Sequence, residues 1–233
     1  MNKTGIAVRT IQRAPAEAVQ ALSRFGVATI HEAMGRTGLL APYMRPVYPG
    51  ARLCGTAVTA LGHPGDNWML HVAAEMLQPG DVVVFALTRP DDHGFFGELL
   101  ATSYRARGGV GLVIDGGVRD IAELQAMKFP VFSKTVHAKG TIKAEVGSVN
   151  VPIMCAGAPV SPGDVIVGDD DGVVVVPAAK AAEVAAASQA REDKEAATRA
   201  RLKAGELGLD IYDMRGKLRD AGLVYYERIE DVK

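Results

Sequence analysis

The sequence predicts a layered α/β domain, with a β-sandwich-like core flanked by helices and a helical segment after it. Three continuously apolar stretches, residues 82–87 (VVVFAL), 110–115 (VGLVID) and 173–176 (VVVV), are typical of strands buried on both faces. A helix is expected over about 97–107, between the first two strands, and Gly108-Gly109 ends it. This β-α-β order favours a layered α/β fold, and the β-rich second half argues against a purely doubly wound sheet.

The first eighty residues are expected to hold three helices, a loop and a strand. Pro15 suits the first turn of a helix, and Gly26 ends that segment. Prolines and glycines concentrate in residues 39–50, which favours a loop, whereas the β-branched residues that follow predict a strand. Asp66 is a suitable N-cap for the third helix. The predicted elements are helices over 15–24, 29–34 and 66–77 and a strand over 51–61.

The second half is expected to consist mainly of short strands. Two Pro-Gly-Asp turns, at 79–81 and 162–164, each precede an apolar run and are expected to start a strand. The stretch Asp169-Asp-Asp171-Gly172 lacks the spaced ligands of an EF-hand and favours a charged hairpin turn. The remaining predicted strands cover 130–134, 151–154, 164–167 and 172–176.

The C-terminal segment changes in character at residue 178. Residues 178 to about 204 are rich in Ala with interspersed Glu, Lys and Arg, which predicts one long helix. A second helix is expected over about 209–219, ended by Gly222, and a short strand over 223–229. No linker-like stretch precedes residue 178, so we expect one compact unit over 1–177.

The composition excludes several classes of protein. The 233 residues carry 26 Lys and Arg against 27 Asp and Glu, so no global field attracts nucleic acid or an anionic membrane. The longest apolar runs are too short to span a bilayer, and we expect a soluble, cytoplasmic protein. Its two cysteines form neither a disulfide framework nor a CxxC motif. Neither a P-loop nor GxGxxG is present, and the five histidines show no zinc-site spacing.

The first candidate site is the segment His93-Gly-Phe-Phe-Gly-Glu98-Leu-Leu, which follows a buried strand and opens a helix. The first turn of a helix presents free N–H groups and a favourable dipole, so the amides of Glu98, Leu99 and Leu100 could bind an anion. The alternative is a plain turn in which the glycines only provide tightness.

The second candidate site is Asp115-Gly-Gly-Val-Arg119-Asp120, again between a buried strand and a helix. If the two strands are parallel neighbours, both candidate turns lie at the sheet edge where ligands bind in α/β proteins. Asp is a hard ligand for Mg²⁺, and Arg offers a planar fork to a carboxylate or an enolate oxygen. The alternative is a surface ion pair with an Asp that favours the helix dipole.

Glu98, then twenty residues, then Arg119-Asp120 resembles the acid-X20-Arg-Asp signature of class II pyruvate aldolases with the regulator-of-ribonuclease-activity-A-like (RraA-like) fold. The chain is similar over essentially its whole length to the 4-hydroxy-4-methyl-2-oxoglutarate / 4-carboxy-4-hydroxy-2-oxoadipate aldolases of that family. The blocks that carry this similarity are 26–40, 63–73, 97–103, 111–120, 147–157 and 162–177.

The resemblance implies a layered α-β-β-α sandwich of the swivelling β/β/α type with a C-terminal helical extension. The catalytic core would be residues 1–177, and 178–233 would contribute to a neighbouring subunit of a homotrimer or homohexamer. An acid of this extension reaches the neighbour's site in the aldolases, and Glu195 takes that role by position, with Glu192 as the second choice. The presence of this C-terminal extension resembles the aldolases of the family and not its short members.

The resemblance also implies a retro-aldol cleavage that releases pyruvate enolate, with oxaloacetate decarboxylation as a side activity. Asp120 would hold Mg²⁺, Mn²⁺ or Co²⁺ directly, and Glu98 and Glu195 would contact it through water. A metal-bound water that these two glutamates orient would act as base for the C4 hydroxyl and then as acid for the enolate. Arg119 would stabilise the enolate oxygen. The catalytic residues would thus be Arg119, Asp120, Glu98 and Glu195, and the substrate-binding residues Arg119, Gly97, Glu98, Leu99 and Leu100.

The main alternative is a protein that binds and regulates an endoribonuclease, as the short members of the family do. That function needs no metal. The C-terminal extension and the complete set of Glu98, Arg119 and Asp120 favour the enzyme. A small-molecule 4-hydroxy-2-oxo acid is therefore the expected partner, without nucleic acid or membrane. A methyltransferase is not supported, because the sequence has no cofactor-binding loop.

Overall fold

The computed structural model describes residues 5–232 of the chain. They form helices and a mixed sheet joined by loops. The chain divides into two units, Met1–Gln189 and Ala190–Lys233. The α-helices are α1 Ala16–Leu22, α2 Val27–Ala33, α3 Trp68–Met76, α4 Glu98–Ala106, α5 Ile121–Ala126, α6 Ala181–Lys203, α7 Gly208–Ile211 and α8 Arg215–Asp220, with 3₁₀ turns at Ala178–Lys180 and Ile229–Asp231. Within the described residues, no helix is long and apolar enough to cross a membrane.

The strands belong to the first unit. They are β1 Ile6–Ala7, β2 Arg45–Pro46, β3 Leu53–Gly62, β4 Asp81–Leu87, β5 Gly94–Phe96, β6 Gly111–Val118, β7 Val131–Val136, β8 Ser148–Val149, β9 Ile153–Cys155, β10 Ala158–Val160, β11 Val165–Asp169 and β12 Gly172–Val176. The order along the main sheet is β1-β8-β3-β4-β6-β7-β2. Strands β3, β4, β6 and β7 are parallel neighbours, β5 pairs with β6, and the β11–β12 hairpin pairs antiparallel with β3.

Side chains from the two faces of the central strands enter two different cores. In β4, Val83 and Phe85 pack with α3 and α4, whereas Val82, Val84 and Ala86 pack with β9, β10 and β12. The outer face of the β11–β12 hairpin is covered by α1, α2 and the start of α6. These layers confirm the predicted α-β-β-α arrangement, and β4 is buried on both faces as its continuous apolar run predicts.

Most predicted elements are present, with ends shifted by a few residues. The turn 169–172 is the predicted hairpin: Asp169 accepts the Val27 N–H at 2.9 Å, at the start of α2, and Asp170 accepts the Gly50 N–H at 2.9 Å. These carboxylates therefore complete backbone hydrogen bonds at the start of a helix and in a loop.

Two predictions for the C-terminal segment are wrong. The helix predicted over 209–219 is interrupted, because Asp213 adopts a left-handed conformation (φ 50°) between α7 and α8. The strand predicted over 223–229 does not form, and the described part of the second unit offers it no strand to pair with. The long helix predicted from 178 is present as a 3₁₀ turn followed by α6. The division between units falls within α6, and the predicted boundary after residue 177 stays a prediction.

Candidate active site

Both candidate turns lie at the carboxyl edge of the parallel strands. Arg119 and Asp120 follow β6, and Gly97 and Glu98 follow β5, which pairs with β6. The Arg119 N–H donates to the carbonyl of Phe96 at 2.9 Å, so the two turns are hydrogen-bonded side by side. The segment Gly94–Phe96, expected only as part of a turn, is a short strand that makes this pairing possible.

Asp120 and Glu98 are joined through the backbone. The Glu98 N–H, at the first position of α4, donates to Asp120 Oδ2 at 3.0 Å. Asp120 itself has a left-handed backbone (φ 58°) at the N-cap of α5. Asp residues adopt that conformation more readily than most side chains do, so this position favours the residue found there.

Gly97 leaves the space that this contact needs. A Cβ built at Gly97 would lie 2.2 Å from Asp120 Oδ2 and 3.1 Å from Arg119 Cγ. Its backbone is extended (φ −159°), a conformation open to any residue. Steric exclusion by the two site side chains, rather than backbone strain, therefore requires glycine at position 97.

The Arg119 and Asp120 side chains form a loose pair that is open to a ligand. Arg119 Nε lies 3.8 Å from Asp120 Oδ2, and the side chains are 47% and 38% exposed. An ion pair that is this long and this exposed contributes little to stability. The two groups therefore remain available for binding.

The start of α4 lies where the sequence predicts an anion site. Ala101 makes the first helical hydrogen bond, to the Gly97 carbonyl, and the Glu98 N–H is taken by Asp120. Helix geometry leaves the N–H groups of Leu99 and Leu100 without intrahelical partners. The Leu99 side chain is 80% exposed, whereas Leu100 is buried in the core. The predicted anion site is thus reduced to two N–H groups.

The two glutamates of the prediction lie in different units. Glu98 is half-buried, and one of its carboxylate oxygens accepts a hydrogen bond from Thr102 Oγ1 at 2.9 Å. Glu195 lies on α6 in the second unit, where it pairs with Arg191 Nε at 2.9 Å, and Glu192 is exposed on the same helix. The role of Glu195 at a neighbouring subunit stays a prediction.

The donor set fits a hard divalent cation that keeps most of its water. Mg²⁺ needs only one or two carboxylates from the protein. Asp120 provides a half-exposed carboxylate whose Oδ2 accepts one N–H, which leaves lone pairs for a cation. Among residues 5–232, no three His, Cys, Asp or Glu side chains converge as a metal cage. The residues present would therefore hold Mg²⁺ through Asp120, with Glu98 beside it.

A group of polar residues on the same edge was missed by the sequence reasoning. His93 and Asp91 lie between β4 and β5, and His93 Nδ1 is 2.5 Å from Asp91 Oδ1. Burial works to raise the pKa of Asp91, but the hydrogen bonds from His93 outweigh it, so the net shift is downward. Their position in the sequence could have identified them, because residues that follow β4 reach the same sheet edge as those that follow β6.

Asp66 organises the loop that borders this edge. Its buried carboxylate accepts backbone N–H bonds from Trp68, Ala144 and Glu145, at 2.5 to 2.9 Å. Burial works to raise the pKa of Asp66, and the three N–H donors outweigh it, so the pKa is lowered. The N-cap residue of α3 is Asn67 and not the predicted Asp66, whose carboxylate instead accepts the N–H of the first helical residue, Trp68, and also fixes a loop far along the chain.

Comparison with known proteins shows the family to which the chain belongs. A model of the RraA-like family, described as Aldolase/RraA, matches residues 27–175. A Halalkalibacterium halodurans protein named "Putative 4-hydroxy-4-methyl-2-oxoglutarate aldolase" is 33% identical over 172 residues, 73% of this chain and 82% of the relative. A Burkholderia multivorans protein of the same name is 34% identical over 143 residues, 61% of this chain and 87% of the relative. The chain belongs to the RraA-like family, which confirms the resemblance.

Solved structures show the same fold. An uncharacterized protein from Pseudomonas syringae pv. tomato superposes with a TM-score of 0.76 at 27% identity, covering 84% of this chain and 92% of that one. Streptomyces coelicolor RraAS2, described as an unusual member of the RNase ES inhibitor RraA protein family, gives 0.72 at 28% identity, covering 82% and 99%. The family therefore contains proteins named as aldolases and proteins named as ribonuclease inhibitors.

Proposed function

We propose that this protein is a divalent-metal-dependent pyruvate aldolase. It would cleave 4-hydroxy-4-methyl-2-oxoglutarate to two pyruvates, and 4-carboxy-4-hydroxy-2-oxoadipate to pyruvate and oxaloacetate. The observation that carries the proposal is the placement of Arg119 and Asp120 beside the open N-terminus of α4. That arrangement offers a carboxylate for a cation, a guanidinium beside it and two N–H donors at the start of the neighbouring helix.

Each group has a separate task in the proposed reaction. The N–H groups of Leu99 and Leu100 bind the pyruvyl carboxylate, with the helix dipole in support. Arg119 donates to the 2-oxo oxygen, where negative charge develops as the C3–C4 bond breaks. Asp120 would hold Mg²⁺, Mn²⁺ or Co²⁺, and the charge of the bound cation would polarise the same oxygen.

Proton transfer is assigned to the glutamates. Glu98 accepts the C4 hydroxyl proton through water and returns a proton to the enolate carbon, with Thr102 holding one of its oxygens. We propose that Glu195 from a second copy of the chain, in a trimer or hexamer, assists it. Oxaloacetate decarboxylation would occur at the same site, because it also produces pyruvate enolate.

The test is pyruvate release, coupled to lactate dehydrogenase, from both hydroxy acids and from oxaloacetate. Turnover is expected to disappear after EDTA treatment and to return when Mg²⁺ is restored. D120A is expected to be inactive at limiting Mg²⁺ while it remains folded. Activity that persists in EDTA, or in D120A at limiting Mg²⁺, would contradict the metal assignment.

A second candidate function is binding to an endoribonuclease. It is supported by the similarity to RraAS2, which is described as a member of a ribonuclease-inhibitor family. A pull-down with the ribonuclease distinguishes the two functions. Stoichiometric binding without any pyruvate release from the folded, Mg²⁺-loaded protein would favour the regulator.

A further inference from the structure

A small cavity that the proposed mechanism does not use lies on the same sheet edge. Its volume is about 240 Å³, and we call it the distal pocket. The residues that line it are Asp91, Asp92, His93, His137 and Lys139. A cavity of this size suits a small polar group rather than a whole cofactor.

The distal pocket and Arg119 have Gly94 as a common neighbour. The Gly94 N–H donates to the carbonyl of Lys139 at 2.8 Å. A Cβ built at Gly94 would lie 2.3 Å from the His137 carbonyl and 3.4 Å from Arg119 Cβ. The residue Gly94 therefore borders both the loop that lines the pocket and the Arg119 side chain.

Both carboxylates of the distal pocket already have partners. Asp91 is bound to the ring and the backbone N–H of His93, at 2.5 and 2.7 Å. Asp92 forms an ion pair with Lys134 at 3.1 Å. Among the described residues, no salt bridge joins Lys139 to a carboxylate, and its charge acts on Asp91 from a distance. The groups left for a ligand are the Lys139 ammonium, the imidazole of His137 and Nε2 of His93.

These groups favour an anion over a cation. The carboxylates of Asp91 and Asp92 already pair with cationic or N–H groups, and no third carboxylate, Cys or His joins them as a metal cage among the described residues. We propose that the distal pocket binds the carboxylate on C4 of a 4-hydroxy-2-oxo diacid, with Lys139 as the main charge and His137 as a second donor. This inference rests on the proposed function, and it assigns the residues that distinguish diacids from simpler hydroxy acids.

The carboxylate on C4 keeps its full charge while the C3–C4 bond breaks, so its partner binds it about equally in the ground state and the transition state. Loss of its partner therefore raises KM and leaves kcat nearly unchanged. Removal of one charge-assisted hydrogen bond is expected to raise KM roughly tenfold. A purely structural role for Lys139 would instead change kcat, or stability, for every substrate.

The experiment compares two substrates that differ only in this carboxylate. The first is 4-hydroxy-4-methyl-2-oxoglutarate. The second is 4-hydroxy-4-methyl-2-oxopentanoate, in which a methyl group replaces the carboxylate and cleavage gives pyruvate and acetone. Each is assayed with the wild type, K139M, H137Q and the control K180M, which removes an exposed lysine on the 3₁₀ turn before α6.

K139M is expected to raise KM for the diacid about tenfold, with a smaller increase in H137Q and none in K180M. Neither K139M nor H137Q should change kcat/KM for the methyl analogue. An equal effect of K139M on both substrates, or no effect on either, would overturn the assignment.

The proposed function fails separately, if the wild type releases pyruvate from neither substrate. The pocket is then judged by calorimetric affinity for the diacid in the presence of Mg²⁺. Weaker binding by K139M than by the wild type would support it, and equal binding would overturn it.

Discussion

Substitution of Gly97 by alanine tests the central geometry of the site. The added Cβ would lie 2.2 Å from Asp120 Oδ2 and 3.0 Å from its Cγ, whereas ordinary contacts begin at 3.4 Å. The carboxylate must therefore retreat by about 1 Å, a displacement that can cost roughly 100-fold in rate. Because the Gly97 backbone is extended, alanine introduces no conformational strain of its own.

The effect on stability should be small. The Asp120 side chain is half-exposed and can move, so the main loss is the hydrogen bond to the Glu98 N–H. That loss is worth about 1 kcal/mol, or roughly 2–4 °C in Tm for a chain of this length. G97A is therefore expected to fold normally and to lose about two orders of magnitude in kcat/KM.

The control is G140A. Gly140 follows β7, and a Cβ there would meet no atom within 4 Å. Pyruvate release and thermal unfolding are measured for both variants and the wild type. G140A should match the wild type in both. A folded G97A with wild-type kcat/KM would refute the argument that Gly97 maintains the Asp120 position.

Three further substitutions test separate parts of the structure. R119K is expected to lower kcat/KM roughly 100-fold, because a point charge replaces a planar fork at the developing oxyanion; a wild-type value in the pyruvate assay would contradict this. In urea titrations at pH 7, the free energy of unfolding of D66N should be about 2 kcal/mol lower than that of the wild type. The amide keeps one acceptor oxygen, but its NH₂ group faces backbone N–H donors. The pKa of Asp66 is lowered in the folded state, so its stabilisation is present above the unfolded value of 3.8 and is lost as the pH falls through the folded pKa. The difference in the free energy of unfolding between wild type and D66N should shrink as the pH falls through the folded pKa, and a difference that stays constant with pH would contradict the role of the carboxylate. D169A should lower Tm by roughly 2–4 °C through loss of the cap on α2, and an unchanged Tm would show that the Val27 N–H finds another acceptor.

Local patterns predicted much of the fold. The apolar run of β4 identified a strand buried on both faces, since each face packs against a different core. The pairing of β11 with β3 could not be predicted in the same way, because it joins residues more than a hundred positions apart. The three residues of β5 are too few to show a strand periodicity, and their pairing with β6 identifies them.

The candidate site could likewise be predicted only where it depends on local pattern. Arg119 and Asp120 could be placed because both follow a buried strand, and the edge of a parallel sheet collects such residues. The hydrogen bond from Glu98 to Asp120 depends on β5, so spacing alone did not reveal it. The histidines were assessed only for zinc-binding spacing, which cannot detect an Asp91–His93 pair placed next to Lys139 by the fold.

The loop that carries Lys139 is held by backbone hydrogen bonds although its side chains are exposed. Its backbone is tied to the sheet edge by the bond from Gly94 to Lys139, by the bond from Ile142 to Gly65, and by the two N–H groups that Asp66 accepts. The side chains of this loop are largely exposed, so burial does not hold the loop in place. The backbone hydrogen bonds hold it instead. Asp66 is therefore expected to influence the distal pocket as well as stability. In D66N, KM for the diacid should rise while kcat for the methyl analogue stays unchanged, because the loop holds the distal carboxylate and not the reacting oxygen.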